Sequence, residues 1–418
     1  MVSRRPLGGL LVANAISLTG TRISMIALPW FVLTTTGSAA QTGLVAAVEM
    51  TPLVLFEVLG GPFADRYGGR AVAVSCDPAS AVVVAAIPLL HGIGGLSFPV
   101  LLVLVGVAGA LRGPGDGAKA ALIPAVATAA GVPLERVTGL YGVIDRIASM
   151  AGAALGGRLI AWVGAPGALY ADAASFLVCA LILGLTAGSP PLVPVADRDP
   201  VPYVQKLRRG WDFLRRDVVL VGMSAIVAAT NLLDLAWSAV LMPVWGRNSG
   251  HGAAGIGVLF AVFSACAALS SMAAARWAER LPRFRTYVIA YLLTGLPRFA
   301  VLALGSPLCV CVAVFVIGGL ACGFLNPILG AVVFERIPER LVGRVSALNS
   351  ALCWSLMPLG GLLGGLLAAS LGLAPVLWVV GTAYLLVTLL PLLVPSFREF
   401  DSRPAPEPVR ARTSGHSV

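Results

Sequence analysis

Charge is scarce in this chain. Of 418 residues only 11% are Asp, Glu, Lys or Arg, while 58% are hydrophobic, and the mean hydropathy is +0.91. A soluble protein carries about a quarter charged residues, which excludes a soluble enzyme or binding domain. Histidine is scarcer still: His91, His251 and His416 lie far apart, two near expected helix ends and one in the tail. Cysteine is present as Cys76, Cys179, Cys266, Cys309, Cys311, Cys322 and Cys353, an odd number inside apolar runs with no metal-ligand spacing. These read as small structural residues, so neither a metal nor a cofactor is expected. An acidic Asp-x-x-Asp cluster or a catalytic His–Asp pair is missing too, which leaves a membrane-embedded transferase as the weakest reading. No basic folded surface is offered to nucleic acid.

What the chain does have is apolar residues in blocks of about twenty, the length that crosses a ~30 Å hydrocarbon core. Backbone in contact with lipid must satisfy its own hydrogen bonds, so these blocks are helices. The pattern predicts an all-α polytopic membrane protein of twelve transmembrane helices in two six-helix halves. The first six are expected over 8–34, 41–62, 71–91, 97–116, 134–162 and 165–187, and the last six over 218–245, 254–276, 286–304, 307–333, 342–370 and 373–395. Arg4 and Arg5 precede an apolar stretch too long for a signal-peptide core, so the first helix is expected to stay in place.

All Lys and Arg residues except Arg22, Arg146, Arg158, Arg247 and Arg298 fall on one side of this scheme, Lys119 among them. The positive-inside rule then puts both termini and the central loop in the cytoplasm and the protein in the plasma membrane, and it accounts for the net charge of +10. The expected division is an N-terminal half over 1–187, a linker over 188–217, a C-terminal half over 218–395 and a disordered tail over 396–418. Within the linker, Tyr203, Leu207, Trp211 and Leu214 recur at helical spacing opposite Lys and Arg, the outline of an amphipathic helix on the membrane surface.

Residues 134–181 and 342–389 align without a gap. Gly152, Gly156, Gly157 and Gly164 fall on Gly360, Gly364, Gly365 and Gly372. Small residues at this spacing let membrane helices pack closely. Two like halves repeated in the same direction suggest a transporter that rocks one half against the other around a midplane site.

Between spans two and three stands GGPFADRYGGR, residues 60–70. It resembles the loop signature of the major facilitator superfamily through Gly61, Asp65, Arg66, Gly68 and Arg70, with Gly69 where the first of two basic residues is usual. In that family the turn holds one state of the rocking cycle closed, which implies that Asp65 and Arg70 support the cycle without touching solute. The stretches SLTGTRISMIALPWFVLTTTGS, VPLERVTGLYGVIDRIASMAGAALGG and IPERLVGRVSALNSAL resemble the macrolide- and siderophore-exporter-like branch of drug:proton antiporters. GAALGG at 152–157 is similar to the antiporter motif of span five, with Ala153 in place of proline. The resemblance implies proton-coupled export of an amphiphilic small molecule by a monomer. A proton-coupled symporter or importer of a specific metabolite is the alternative.

An ionised side chain at mid-membrane costs roughly 2.5–3.5 kcal/mol or more and therefore faces the bundle interior. The candidates are Arg22, Glu49, Asp145, Arg146, Asp234 and Arg298. A desolvated carboxylate holds its proton more tightly, and a nearby arginine reverses that. A carboxylate that gains and loses such a partner would bind and release protons. Asp145 suits this best, with Glu49 and Asp234 in reserve and Arg22, Arg146 and Arg298 as charge partners. Arg22 is expected to meet Glu49 or Asp145, since Arg146 points about 100° around the helix from Asp145. Glu57 and Arg112 read as closer to the cytoplasmic ends, and Arg158 and Asp172 as facing the outer surface together. Trp30, Trp237, Trp354, Phe260 and Phe263 either face lipid or pack helices, or line an apolar cavity for a lipophilic solute, cationic or neutral.

Overall fold

The computed structural model describes residues 5–59, 67–186, 203–277, 282–337, 342–394 and 397. Among these every regular element is helical. Spans one and two, Arg5–Thr36 and Ala39–Leu59, are joined at Gly37, whose φ of 71° suits a residue without a side chain. Span three is Gly69–Gly92 and span four Phe98–Ala130. The next helix, Leu134–Thr186, has 53 residues. Straight, it would be about 80 Å long, far beyond one crossing. It breaks at Gly164, with φ 76° and ψ 170°, into spans five and six. Among the described residues, with that helix counted once, 11 helices are long and apolar enough to cross a membrane, and its break at Gly164 makes them twelve spans.

The repeat is visible in the backbone. Gly372, the partner of Gly164, has φ 79° and ψ 172° and separates Met357–Leu371 from Leu373–Leu393. Span seven runs Val218–Ala236, a π-turn Trp237–Leu241 and Met242–Asn248; span eight is Gly252–Trp277. Spans nine, ten and eleven are each interrupted: Arg283–Thr294 then Leu296–Ala303, Leu308–Cys322 then Leu325–Arg336, and Val342–Trp354 then Met357–Leu371. Each irregularity lies just ahead of a proline: Pro243, Pro297, Pro327 or Pro358. A helical proline lacks a donor and crowds the carbonyl four residues back. In span seven the helix answers by widening, with the Met242 N–H reaching the Trp237 carbonyl.

The paired glycines occupy equivalent places. Gly152 and Gly156 lie against Arg22 and Ile23 of span one, while Gly360 and Gly364 lie against Leu232 and Ala236 of span seven. The third glycine of each set meets the opposite half. A Cβ on Gly157 would lie 2.9 Å from Gly257 Cα in span eight, and one on Gly365 would lie 3.1 Å from Gly43 Cα in span two. Both approaches sit near the glycine corners, so the halves are in contact there.

The periphery differs from expectation in three places. Span four continues to Ala130 instead of ending near 116, so Lys119 and Pro124 lie inside a helix. The linker helix forms over Tyr203–Leu214, but Leu214 is fully buried with Leu220, Ile337 and Val345, so its end docks on the C-terminal half. Phe397, in the expected disordered tail, packs against Gly222.

Candidate solute and proton sites

In the N-terminal half, Arg22 on span one donates to Asp145 on span five at 3.0 Å, with side-chain exposures of 31% and 45%. A charged pair this exposed at mid-span depth faces a watery space, since lipid would not tolerate it. This is one of the two pairings that the sequence leaves open for Arg22. Glu49 has a different partner: it accepts from Arg112 of span four at 2.9 Å, and both are largely buried. Arg112 is therefore an interior residue rather than one near the cytoplasmic end. A cavity of about 20 Å³, lined by Ser24, Glu49, Arg112, Asp172 and apolar side chains, separates this pair from the Ser24–Asp172 hydrogen bond. That volume holds a single water.

Asp172 corrects a second expectation. It is 2% exposed and accepts from Ser24, whereas Arg158 is exposed and lies over the Trp162 ring at 5.5 Å. Arg158 and Asp172 do not face the outside together. A third cluster was not anticipated at all. Lys119 is buried, 3.1 Å from Asp77 and 3.1 Å from Asp116, with Ser17 Oγ at 3.2 Å. A lysine in the loop-side flank of an apolar run reads as a boundary charge. The signal against this was the apolar stretch from Ala120 to Ala130 that follows it.

In the C-terminal half Arg298 donates to Asp234 of span seven. Their side chains are 6% and 39% exposed, so the carboxylate is the outer member of the pair. The Arg298 guanidinium also lies over Trp237, Phe299 and Tyr384. Trp237 in turn meets Phe260 at 5.2 Å and Phe315 at 5.9 Å, and Tyr291 lies 6.2 Å from Tyr384. Of the five aromatics expected to pack or line a cavity, Trp237 is buried in this stack with Phe260 and Phe263 beside it, and Trp354 is exposed. Arg146 has no ion pair among the described residues, and Cys322 of the opposite half lies within electrostatic reach of it, as of Asp234 and Arg298. Arg70 donates to the Gly184 carbonyl of span six at 2.7 Å; Gly61, Asp65 and Arg66 lie outside the described residues.

The chain matches the model of the Major Facilitator Superfamily over residues 10–234 and 224–417. It is similar to the multidrug efflux pump Tap of Mycobacterium tuberculosis, 29% identical over 405 residues that cover 96% of either chain. Among solved structures it is similar to the nucleoside transporter NupG, with a TM-score of 0.71 and 14% identity over 96% of this chain and 100% of that one. It is also similar to a bacterial homolog of the human lysosomal transporter Spinster, inward-facing and unoccupied, with a TM-score of 0.69 and 16% identity over 97% of this chain and 100% of that one. These structural likenesses show the fold.

Proposed function

Because this chain belongs to the Major Facilitator Superfamily and is a multi-pass transporter of small molecules, we propose that it exports amphiphilic small molecules against a proton gradient by alternating access. The observation that carries this reading is the half-exposed Asp145–Arg22 pair, which at mid-span depth faces a watery space. The two residues lie on different helices, so a small rotation of span five against span one parts them. Apart from its arginine, Asp145 takes up a proton from the open side; reunited with it, the carboxylate gives the proton up. Solute occupies the same space while the proton is absent. Glu49 with Arg112 is the reserve proton site, and Asp234 faces the solute from the other half. By the positive-inside rule this reading puts both termini and the arginine-rich end in the cytoplasm. The name of the Mycobacterium tuberculosis relative supports multidrug export over nutrient import.

Reconstitution into vesicles with an imposed pH gradient tests the coupling. Asp145→Asn is expected to exchange solute across the membrane at equilibrium yet lose uphill accumulation, and Asp145→Glu to retain part of it with a shifted pH optimum. If Asp145→Asn pumps uphill at the wild-type rate, the residue is structural and the proton site is elsewhere. Solute movement in the same direction as protons would replace export by symport.

A further inference from the structure

The C-terminal half contains a complete cation-binding arrangement whose occupant is the protein itself. Cζ of Arg298 lies 4.7 Å from the Trp237 ring centre, 4.9 Å from that of Phe299 and 4.8 Å from that of Tyr384. Asp234 supplies the opposite charge. Ring faces are electronegative, and several around one desolvated cation make a box that suits delocalised or quaternary organic cations. Here the guanidinium of Arg298 fills it.

Three observations indicate that this box is built for exchange. Asp234 is 39% exposed while the Arg298 side chain is 6% exposed, so a cation entering from the exposed side meets the carboxylate before it meets the arginine. Arg298 Nε and Trp237 Nε1 are buried donors with no hydrogen-bond partner among the described residues. A buried donor left unpaired is costly, and the resident pose therefore satisfies the ion pair but leaves these two donors unmet. The backbone that carries the box is irregular as well. Trp237 opens the π-turn Trp237–Leu241, and Arg298 follows the break at Gly295, whose φ of −75° and ψ of −108° lie outside the helix. Broken helices and π-turns are where transporters and enzymes place binding groups.

We propose that Asp234, Trp237, Phe299 and Tyr384 form a recognition subsite for planar organic cations, and that Arg298 is a tethered occupant which the solute displaces. This rests on the exporter reading for the identity of the exposed side as the solute path, while the subsite itself is defined by its geometry. A resident competitor lowers the apparent affinity of solute by the fraction of time the box is empty. Removing the competitor while keeping the carboxylate should therefore tighten binding. A purely structural ion pair would instead leave an unpaired carboxylate and no new ligand.

The test is equilibrium binding of ethidium, a planar cation read by its own fluorescence, to the purified full-length protein with no gradient imposed. Arg298→Ala is expected to bind ethidium at least about tenfold more tightly than wild type, and Arg298→Ala combined with Asp234→Asn to lose that gain. Methylguanidinium should displace ethidium from Arg298→Ala, whereas N-methylurea, of the same shape without the charge, should not. Unchanged or weaker binding in Arg298→Ala, or equal displacement by N-methylurea, overturns the proposal. If Arg298→Ala does not fold, Arg298→Lys carries the same comparison, because lysine keeps the charge but not the flat spread over the rings. A gain of a few fold is then expected, and no gain overturns the proposal. Binding is measured without proton flow, so tight ethidium binding with no uphill transport would sink the exporter reading alone. Intact pumping with no gain in binding would sink only this one.

Discussion

The two halves of this molecule treat buried charge in opposite ways. The N-terminal half keeps its charges paired inside itself: Lys119 with Asp77 and Asp116, Arg112 with Glu49, and Asp172 on Ser24. The C-terminal half has one mid-span pair, Asp234–Arg298, and surrounds it with aromatic rings; its other ion pairs, Asp217–Arg336 and Arg283–Glu335, sit at the arginine-rich end. The backbones differ in the same sense. Spans one to four run unbroken through Pro29, Pro52, Pro78, Pro88, Pro114 and Pro124, while four C-terminal spans break or widen ahead of theirs. The duplication has preserved the places where backbone meets backbone and released the side chains. Asp145 faces Cys353 across the alignment, but Gly164 and Gly372 share a conformation. Apart from the half-exposed Arg22–Asp145 contact, a half locked by internal ion pairs suits movement as a block. One with interrupted helices has room to adjust around a ligand.

Removing the lock should have the largest effect. Lys119→Met leaves Asp77 buried without its partner, and breaking such a pair costs about 3–5 kcal/mol. Little folded protein is expected, with partial recovery when Asp77→Asn is added. Thermal unfolding in detergent measures both, and a Lys119→Met protein as stable as wild type would remove the contrast between the halves.

The shared geometry can be probed next. Gly157→Leu and Gly365→Leu each put a side chain where another backbone already lies, and by symmetry each should slow transport by roughly tenfold, the equivalent of about 1.4 kcal/mol. Flux in vesicles would show it; a large effect from one and none from the other would mean that only one half forms a seal. The corrected pair sets a moderate effect against the smallest one. Arg158→Ala, at an exposed position, should stay within about 0.5 kcal/mol of wild-type stability. Asp172→Leu leaves the buried Ser24 hydroxyl unpaired and should cost about 1–3 kcal/mol. Equal stability of the two variants would return Asp172 to the surface.

How legible all this was depended on whether a feature repeats. The glycine pairs and both glycine corners could be read because the chain states them twice in one register. Asp145 with Arg22 could be read because a charge deep in an apolar span needs a partner, and few were available. Lys119 was misplaced for the opposite reason. Its partner Asp77 belongs to another span, and Pro124, which normally argues against a helix interior, sits a few residues on. The box around Arg298 left no spacing to detect. Trp237, Phe299 and Tyr384 come from spans seven, nine and twelve, and only the packing of those spans brings the rings together.

The glycine contacts between the halves also bear on how the halves part there. Apart from the hydrogen bond that Arg247 donates to the Leu33 carbonyl at 3.4 Å, the described contacts at Gly157 against Gly257 and Gly365 against Gly43 are touches of main chain on main chain. Dispersion between such surfaces fades steeply, a gap of about 0.5–1 Å already forfeiting a quarter to a half of the attraction. A seal of this kind is brittle: it holds fully or it lets go. The opening is then expected to be abrupt, with few half-open states through which protons could leak while solute is waiting.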